Sequence, residues 1–382
     1  MKYVDEFRAP GPARELAKRI DRATYEDRRY RLMEFCGGHT HAVFRYGVQD
    51  LLPANVQLIH GPGCPVCVLP IGRLDNAIAL AEQHGAIVCS YSDMLRVPAS
   101  GRHSLIKAKA AGADIRSVYS SLDALRVATE NPGREVVFFA IGFETTTPAT
   151  AVAVKEAERL NVANFSVFCN HVLTPAAMRA ILSSPEPGAV AVDGLLGPSH
   201  VSTVIGSQPY QALAEEFQQP VVIAGFEPLD IMLSILMLVR QLNDGRHEVE
   251  NEYIRAVTRD GNRKAKRLMK SVFELRSSFE WRGLGAIPES ALKLKPLYRR
   301  FDAEHRFPLA EINARDVKGC ECPAILRGTK KPVDCKLFGR VCTPENPMGS
   351  CMVSAEGACA AYWSYGRQRD YAGRELKNGT TG

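Results

Sequence analysis

The stretch EVVFFAIGFETTTPATAVAVKEAERLN, residues 135–161, decides the fold class. It opens with an apolar run from Val136 to Ile141 that does not alternate with polar residues. Such a run fits a strand covered on both faces, the kind that builds a parallel sheet. A hydroxyl-rich turn, FETTTP, leads into the helical pattern ATAVAVKEAERLN. Strand, turn and helix in that order form the repeating piece of a βαβ chain. The same texture recurs on both sides. RLMEF runs through CGGHTH into AVFRYGVQDLL, and VQLIH runs through GPGCPVCVLP into IGRLDNAIALAEQHG. AIVCSYS, FSVFCNHV, AVAVDGLL and PVVIAGF each open a further unit. Seven such units exceed one small sheet, so the reading is α/β with two similar parallel-sheet domains facing a cleft. The expected first domain is 30–130, with 215–240 as its candidate completion, and the second is 131–214. After about Asn243 the texture turns helical and charged, and from Gly319 it becomes loop-rich. Residues 241–382, with 1–29, are read as a smaller, mostly helical and loop C-terminal domain.

Composition sets the outer limits. The chain has 382 residues, 46% hydrophobic and 24% charged, as in an ordinary globular protein. No apolar run approaches the roughly 20 residues that span a bilayer. The longest, IMLSILMLVRQL at 231–242, reads as a buried helix. The first residues carry charge throughout and lack the apolar core of a signal peptide. The expectation is therefore a cytoplasmic protein without a membrane partner. In that compartment eleven cysteines serve as ligands or redox groups rather than staples. From Gln241 onward 26 Lys/Arg face 18 Asp/Glu, against 22 and 24 before it. No aromatic-interleaved basic motif accompanies this excess, so a solvated basic face is preferred over nucleic-acid binding.

The unusual residues gather where chemistry gathers in parallel sheets, in the turns after strands. Cys36, Gly37, Gly38 and His39 follow one strand; Cys64 and Cys67 follow the next; Glu144 and Thr145 follow another. A cysteine near a helix start has a lowered pKa, and its thiolate is the nucleophile and metal ligand. The bland alternative for Cys36 is a buried core thiol beside a capping histidine. Two glycines and His39 next to it favour a site. For Glu144 and Thr145 the alternative is a plain helix cap, and the two readings stand about even. Cys64 and Cys67, as C-P-x-C, make good redox geometry, and no further local cysteines complete a zinc site. They are a redox pair, iron ligands, or both in turn. Cys320, Cys335, Cys342 and Cys359 are spaced C-x14-C-x6-C-x16-C in the loop-rich end. That wide spacing suits a [4Fe–4S] cluster better than zinc, with Lys330, Lys331, Lys336 and Arg340 nearby to offset its charge. Cys322 and Cys351 are left over, and Cys322 competes with Cys320 as a ligand.

FCGGHTH, HGPGCPVCVLP, AIGFETTTP, GPSHVS, VIAGFEPLD and DCKLFGRVCTPENPMGSCMVSAEGAC together resemble the HypD family of hydrogenase maturation factors. Six motifs in order, from about Tyr30 to Trp363, make the resemblance specific. It implies two α/β domains and a third that carries a [4Fe–4S] cluster. It implies a scaffold that holds iron while the Fe(CN)2CO unit of [NiFe]-hydrogenase is built. The implied partners are a small HypC-type chaperone in a 1:1 complex, a HypE-type cyanide donor, and the hydrogenase large subunit reached through the chaperone. Carried onto this chain, Cys36 would bind iron with His39 as its neighbour. Cys64 and Cys67 would be a redox-active pair that also touches iron. Cys320, Cys335, Cys342 and Cys359 would hold the cluster. The competing class is a free-standing [4Fe–4S] thiol–disulfide oxidoreductase, which needs neither Cys36 nor His39.

Overall fold

The structure, a computed structural model, describes residues 5–183, 190–312 and 314–366. Nine strands form two parallel sheets: β1 (Tyr30–Glu34), β2 (Val56–His60), β3 (Ile87–Ser90), β4 (Ile115–Ser117), β5 (Val136–Gly142), β6 (Phe165–His171), β7 (Gly194–Gly197), β8 (Val221–Ile223) and β9 (Val249–Asn251). One sheet has the order β2-β1-β7-β8-β9 and the other β4-β3-β5-β6. Every pairing within them is parallel. The opening stretch behaves as its composition requires: all residues of β5 are buried, and the helix Thr147–Arg159 follows it.

Sheet membership departs from the expected domain boundaries. β3 and β4 fall inside 30–130 but pair with β5 and β6, while β7 falls inside 131–214 but lies beside β1. The second sheet is thus an insertion between β2 and β7 of the first. An ion pair accompanies the return. The Arg31 guanidinium donates to Asp193, and the backbone N–H of Arg31 reaches the same carboxylate at 2.7 Å. This contact lies beside the β1–β7 ladder, whose strands are separated by most of the chain's first half.

The predicted buried helix spans Pro228–Asn243 and covers the first sheet with Ile231, Met232, Ile235, Leu236, Leu238 and Val239. These apolar positions recur at helical spacing and are removed from water. The helix Pro10–Ala23 packs on it, so the N-terminal segment belongs with the first sheet and not with the C-terminal domain. In the second sheet Phe139 stacks on Phe168 with ring centroids 5.6 Å apart.

The segment from 241 to 306 is a second departure. It contributes β9 to the first sheet. It then forms two antiparallel pairs, β10 (Phe273–Leu275) with β13 (Leu292–Leu294) and β11 (Ser278–Trp281) with β12 (Gly285–Pro288). Phe273, Leu292, Leu294, Tyr298 and Phe301 join the core of the second sheet. Only the described part from about Val317 to Gly366 forms the cysteine-rich region, and its regular elements are short helical turns. Residues 1–4 and 367–382, included in the expected C-terminal domain, lie outside the described residues. Among the described residues no helix is long and apolar enough to cross a membrane.

Candidate functional site

The site is built on the carboxyl end of β1. Cys36 caps the helix Gly37–Tyr46 in an extended conformation, with φ at −141°. Its N–H donates to the buried Glu34 carboxylate at 2.9 Å. The same carboxylate accepts from the Thr40 hydroxyl and lies 2.9 Å from His60 Nδ1, at the end of β2. Glu34 therefore ties the two strand ends together beneath Cys36. The loop after β2 lies directly on this turn, with Gly37 N–H donating to Gly63 C=O at 3.0 Å. A Cβ at Gly63 would stand 2.6 Å from the Cys36 nitrogen, so only glycine permits the approach.

Above Cys36 opens a cavity of about 490 Å³. Both sheets and the cysteine-rich region contribute walls. Cys36, Pro65, Val66 and His200 come from the first sheet's loops; Asp93, Thr145 and Thr146 come from the second; Ser354 and Glu356 close it. The backbone N–H groups of Gly38 and His200 favour the charged form of the Cys36 sulfur. Burial nevertheless pushes this thiol up to about 12, helped by the charges of Glu356 and Glu34. Burial also raises the Glu356 carboxyl, with Asp93 and Glu34 adding to it. The lone thiol is thus a neutral group, whose proton leaves when a metal replaces it.

Not every expected residue faces this cavity. Thr145 does. His39 turns the other way: its Nε2 lies 2.8 Å from Ser199 Oγ and 3.2 Å from Ala224 O. Its Nδ1 is buried with no hydrogen-bond partner among the described residues, and burial lowers its pKa. Residues three apart on a helix share a face, but Cys36 is the extended cap and lies outside that phase. His200 takes the place expected of His39, and its ring packs 4.0 Å from that of Phe226. Glu356, from the motif AEGAC, is the acid the sequence reading passed over.

Glu144 also points away. Its carboxylate accepts from Thr174 N–H and Thr174 Oγ, both at 3.0 Å, and so caps the helix Thr174–Leu182. Burial raises it from its ordinary 4.5 to about 7. A carboxyl raised on folding holds its proton more tightly in the native state. Its stabilising contribution is full below the unfolded value and is lost as pH rises through the folded one. Wild type should therefore lose stability relative to Glu144→Gln as pH rises between these values. Urea unfolding below pH about 5 and above pH about 8 measures this, and an equal difference at both would contradict the burial account.

Cys64 and Cys67 lie at disulfide distance, with Cα atoms 5.2 Å apart on the short helix Pro65–Val68. Both are buried, directly behind the cavity wall that Pro65 and Val66 supply. On their other side stands Ser350. Its hydroxyl donates to the Cys67 carbonyl at 3.0 Å and lies 3.6 Å from Cys322 Sγ. Cys322 Sγ in turn lies 2.6 Å from Cys351 Sγ. The two leftover cysteines are thus a second close pair, next to the first.

Cys320, Cys322, Cys335, Cys342, Cys351 and Cys359 all line one small cavity. Among the described residues no three His, Cys, Asp or Glu side chains are already arranged around a single ion. A cluster asks for something else, one thiolate at each of four separated corners. The cysteines lining this cavity supply the thiols that such corners require. Gly349 keeps the wall open, since a Cβ there would stand 2.6 Å from Cys320 Sγ. The thiol set fits a [4Fe–4S] group. The expected surface lysines are less close: Lys330 pairs with Glu321, and Lys330 and Lys331 line a different cavity beside His60. The buried cation of this region is Arg282, whose field reaches Cys320, Cys322 and Cys351.

A cavity that buries one cysteine between two parallel sheets, backed by two close cysteine pairs, defines an α/β protein with its cysteines gathered at one site. Residues 12–366 match the HypD family model, described as "Hydrogenase formation hypA family", and the chain belongs to that family. It is 64% identical over 371 residues to the hydrogenase maturation factor HypD of Azotobacter vinelandii, covering 97% of this chain and 98% of that protein. It is 63% identical to HypD of Rhizobium leguminosarum bv. viciae, covering 97% of each chain. It is 46% identical to HypD of Escherichia coli, covering 97% of this chain and all of that protein. The chain is thus a member of a family of hydrogenase maturation factors.

Proposed function

We propose that the chain is an assembly scaffold that holds iron at Cys36 while the Fe(CN)2CO unit of [NiFe]-hydrogenase is built. The observation that carries this reading is the Cys36 thiol, buried at the floor of a cavity whose walls come from both sheets and the cysteine-rich region. Iron is the cargo. Soft thiolate suits it, and binding releases the thiol proton. The N–H groups of Gly38 and His200 then hold a charged sulfur. The Thr145 hydroxyl on the wall is a donor for a cyanide nitrogen.

Cys320, Cys335, Cys342 and Cys359 would hold a [4Fe–4S] cluster, which supplies electrons singly when bound. Cys64 and Cys67 handle electrons in twos. Their disulfide opens on taking two electrons and two protons, giving two thiols, and closes on returning them. The Cys322 and Cys351 pair stands between these groups, joined to the first through Ser350. Partners are a HypC-type chaperone bound 1:1, a HypE-type cyanide donor, and the hydrogenase large subunit, with the work done in the cytoplasm. Burial of both Cys64 and Cys67 argues against the free-standing reductase, whose attacking thiol must reach a protein substrate.

Complementation tests the reading. In cells lacking their own HypD-type factor, this chain should restore [NiFe]-hydrogenase activity. Folded, iron-containing protein without restored activity would contradict it.

A further inference from the structure

Arg282 follows β11, with its side chain 3% exposed. Its guanidinium binds one acid, Asp316, with Nε at 2.8 Å and Nη2 at 2.6 Å from the same oxygen. Nη1 is buried and has no hydrogen-bond partner among the described residues. A buried arginine with a spare N–H is a costly way to gain stability. Its surroundings give it another use.

The backbone of this segment touches both thiol regions. Arg282 N–H donates at 2.7 Å to the carbonyl of Val68, which ends the Cys64–Cys67 helix. The next residue, Gly283, lies so close to Pro323 that a Cβ would stand 2.9 Å from its Cα. Pro323 directly follows Cys322. Arg327, on the same short helical segment, donates to the Gly283 carbonyl at 2.7 Å. The Arg282 backbone is thereby fixed between the two thiol regions, and its buried side chain interacts electrostatically with Cys322 and Cys351.

We propose that Arg282 is the counter-charge of the cysteine-rich redox centre, a positioning residue that sets how readily the centre accepts an electron. The inference rests on the reading that these cysteines hold a [4Fe–4S] cluster. Each electron adds one negative charge to a buried site, and a fixed cation nearby offsets it. Asp316 opposes that effect, so the pair tunes the centre in opposite directions.

The test is an EPR-monitored redox titration of the full-length protein, purified without oxygen, as wild type, Arg282→Gln, Arg282→Lys and Asp316→Asn. Arg282→Gln should disfavour reduction about tenfold, which for one electron lowers the midpoint by about 59 mV. Arg282→Lys should restore most of the difference, and Asp316→Asn should shift the midpoint upward. Asp316→Asn keeps the test decisive if Arg282→Gln does not fold, because loss of packing gives no upward shift. Unmoved midpoints in the folded variants would overturn the proposal alone. Wild-type protein lacking iron and sulfide would overturn the cluster reading and this proposal with it.

Discussion

Cys67→Ala should reduce [NiFe]-hydrogenase activity in complemented cells to the background of the deletion strain, while iron and sulfide content stays at the wild-type level. Cys67 lies between the iron cavity and the cysteine-rich region, in contact with Ser350 and remote from the proposed cluster ligands in sequence. Removing its sulfur leaves the fold a small void, worth about 1 kcal/mol, and leaves Cys64 unable to close a disulfide. The loss is therefore one of electron transfer rather than of structure. Unimpaired maturation by this variant would show that the pair carries no electrons for assembly.

Cys335→Ser should have the largest structural effect. The region from Val317 to Gly366 contains only short helical turns, and its buried residues are largely the cysteines themselves with Ile325, Leu326, Met348 and Met352. These residues pack onto the main core, and a cluster held by the proposed ligands would order the loops between them. The variant should lose iron, sulfide and the associated visible absorbance, and become protease-sensitive in this region while the two sheets remain intact. Metal analysis and limited proteolysis measure both effects. Full wild-type iron and sulfide would remove Cys335 from the ligand set.

Much of this organisation is legible in the sequence, for identifiable reasons. The strands β1, β2, β3, β5, β6, β7 and β8 are short apolar runs followed by turns, and each is found where that texture lies. β4 and β9 escape it because each is only three residues long and largely half-buried or exposed. Ile115–Ser117 and Val249–Asn251 carry polar residues and lack the apolar run, which the other two edge strands, β2 and β6, keep. Strand order is harder to read. Every unit looks alike locally, and the pairing of β7 with β1 joins residues about 160 positions apart, which no periodicity announces.

The site divides in the same way. The turns carrying Cys36, Thr145 and the C-P-x-C pair converge as strand ends in parallel sheets do. His39 and Glu144 carry the expected chemistry but face neighbouring elements, because side-chain direction depends on cap geometry. His200 and Glu356 reach the cavity from distant segments. The pairing of Cys322 with Cys351 depends on chain folding across 29 residues and has no local signal.

The central claim is that Cys36 anchors iron carrying cyanide and carbon monoxide. Infrared spectroscopy of the protein, purified without oxygen from cells with an intact hydrogenase system, tests it most directly beside the Cys36→Ala variant. The account predicts metal-cyanide and metal-carbonyl bands in the wild type and none in the variant, with equal cluster absorbance in both. The same bands in both proteins would place the iron on another ligand and contradict the claim, as would their absence from wild-type protein that carries iron and sulfide.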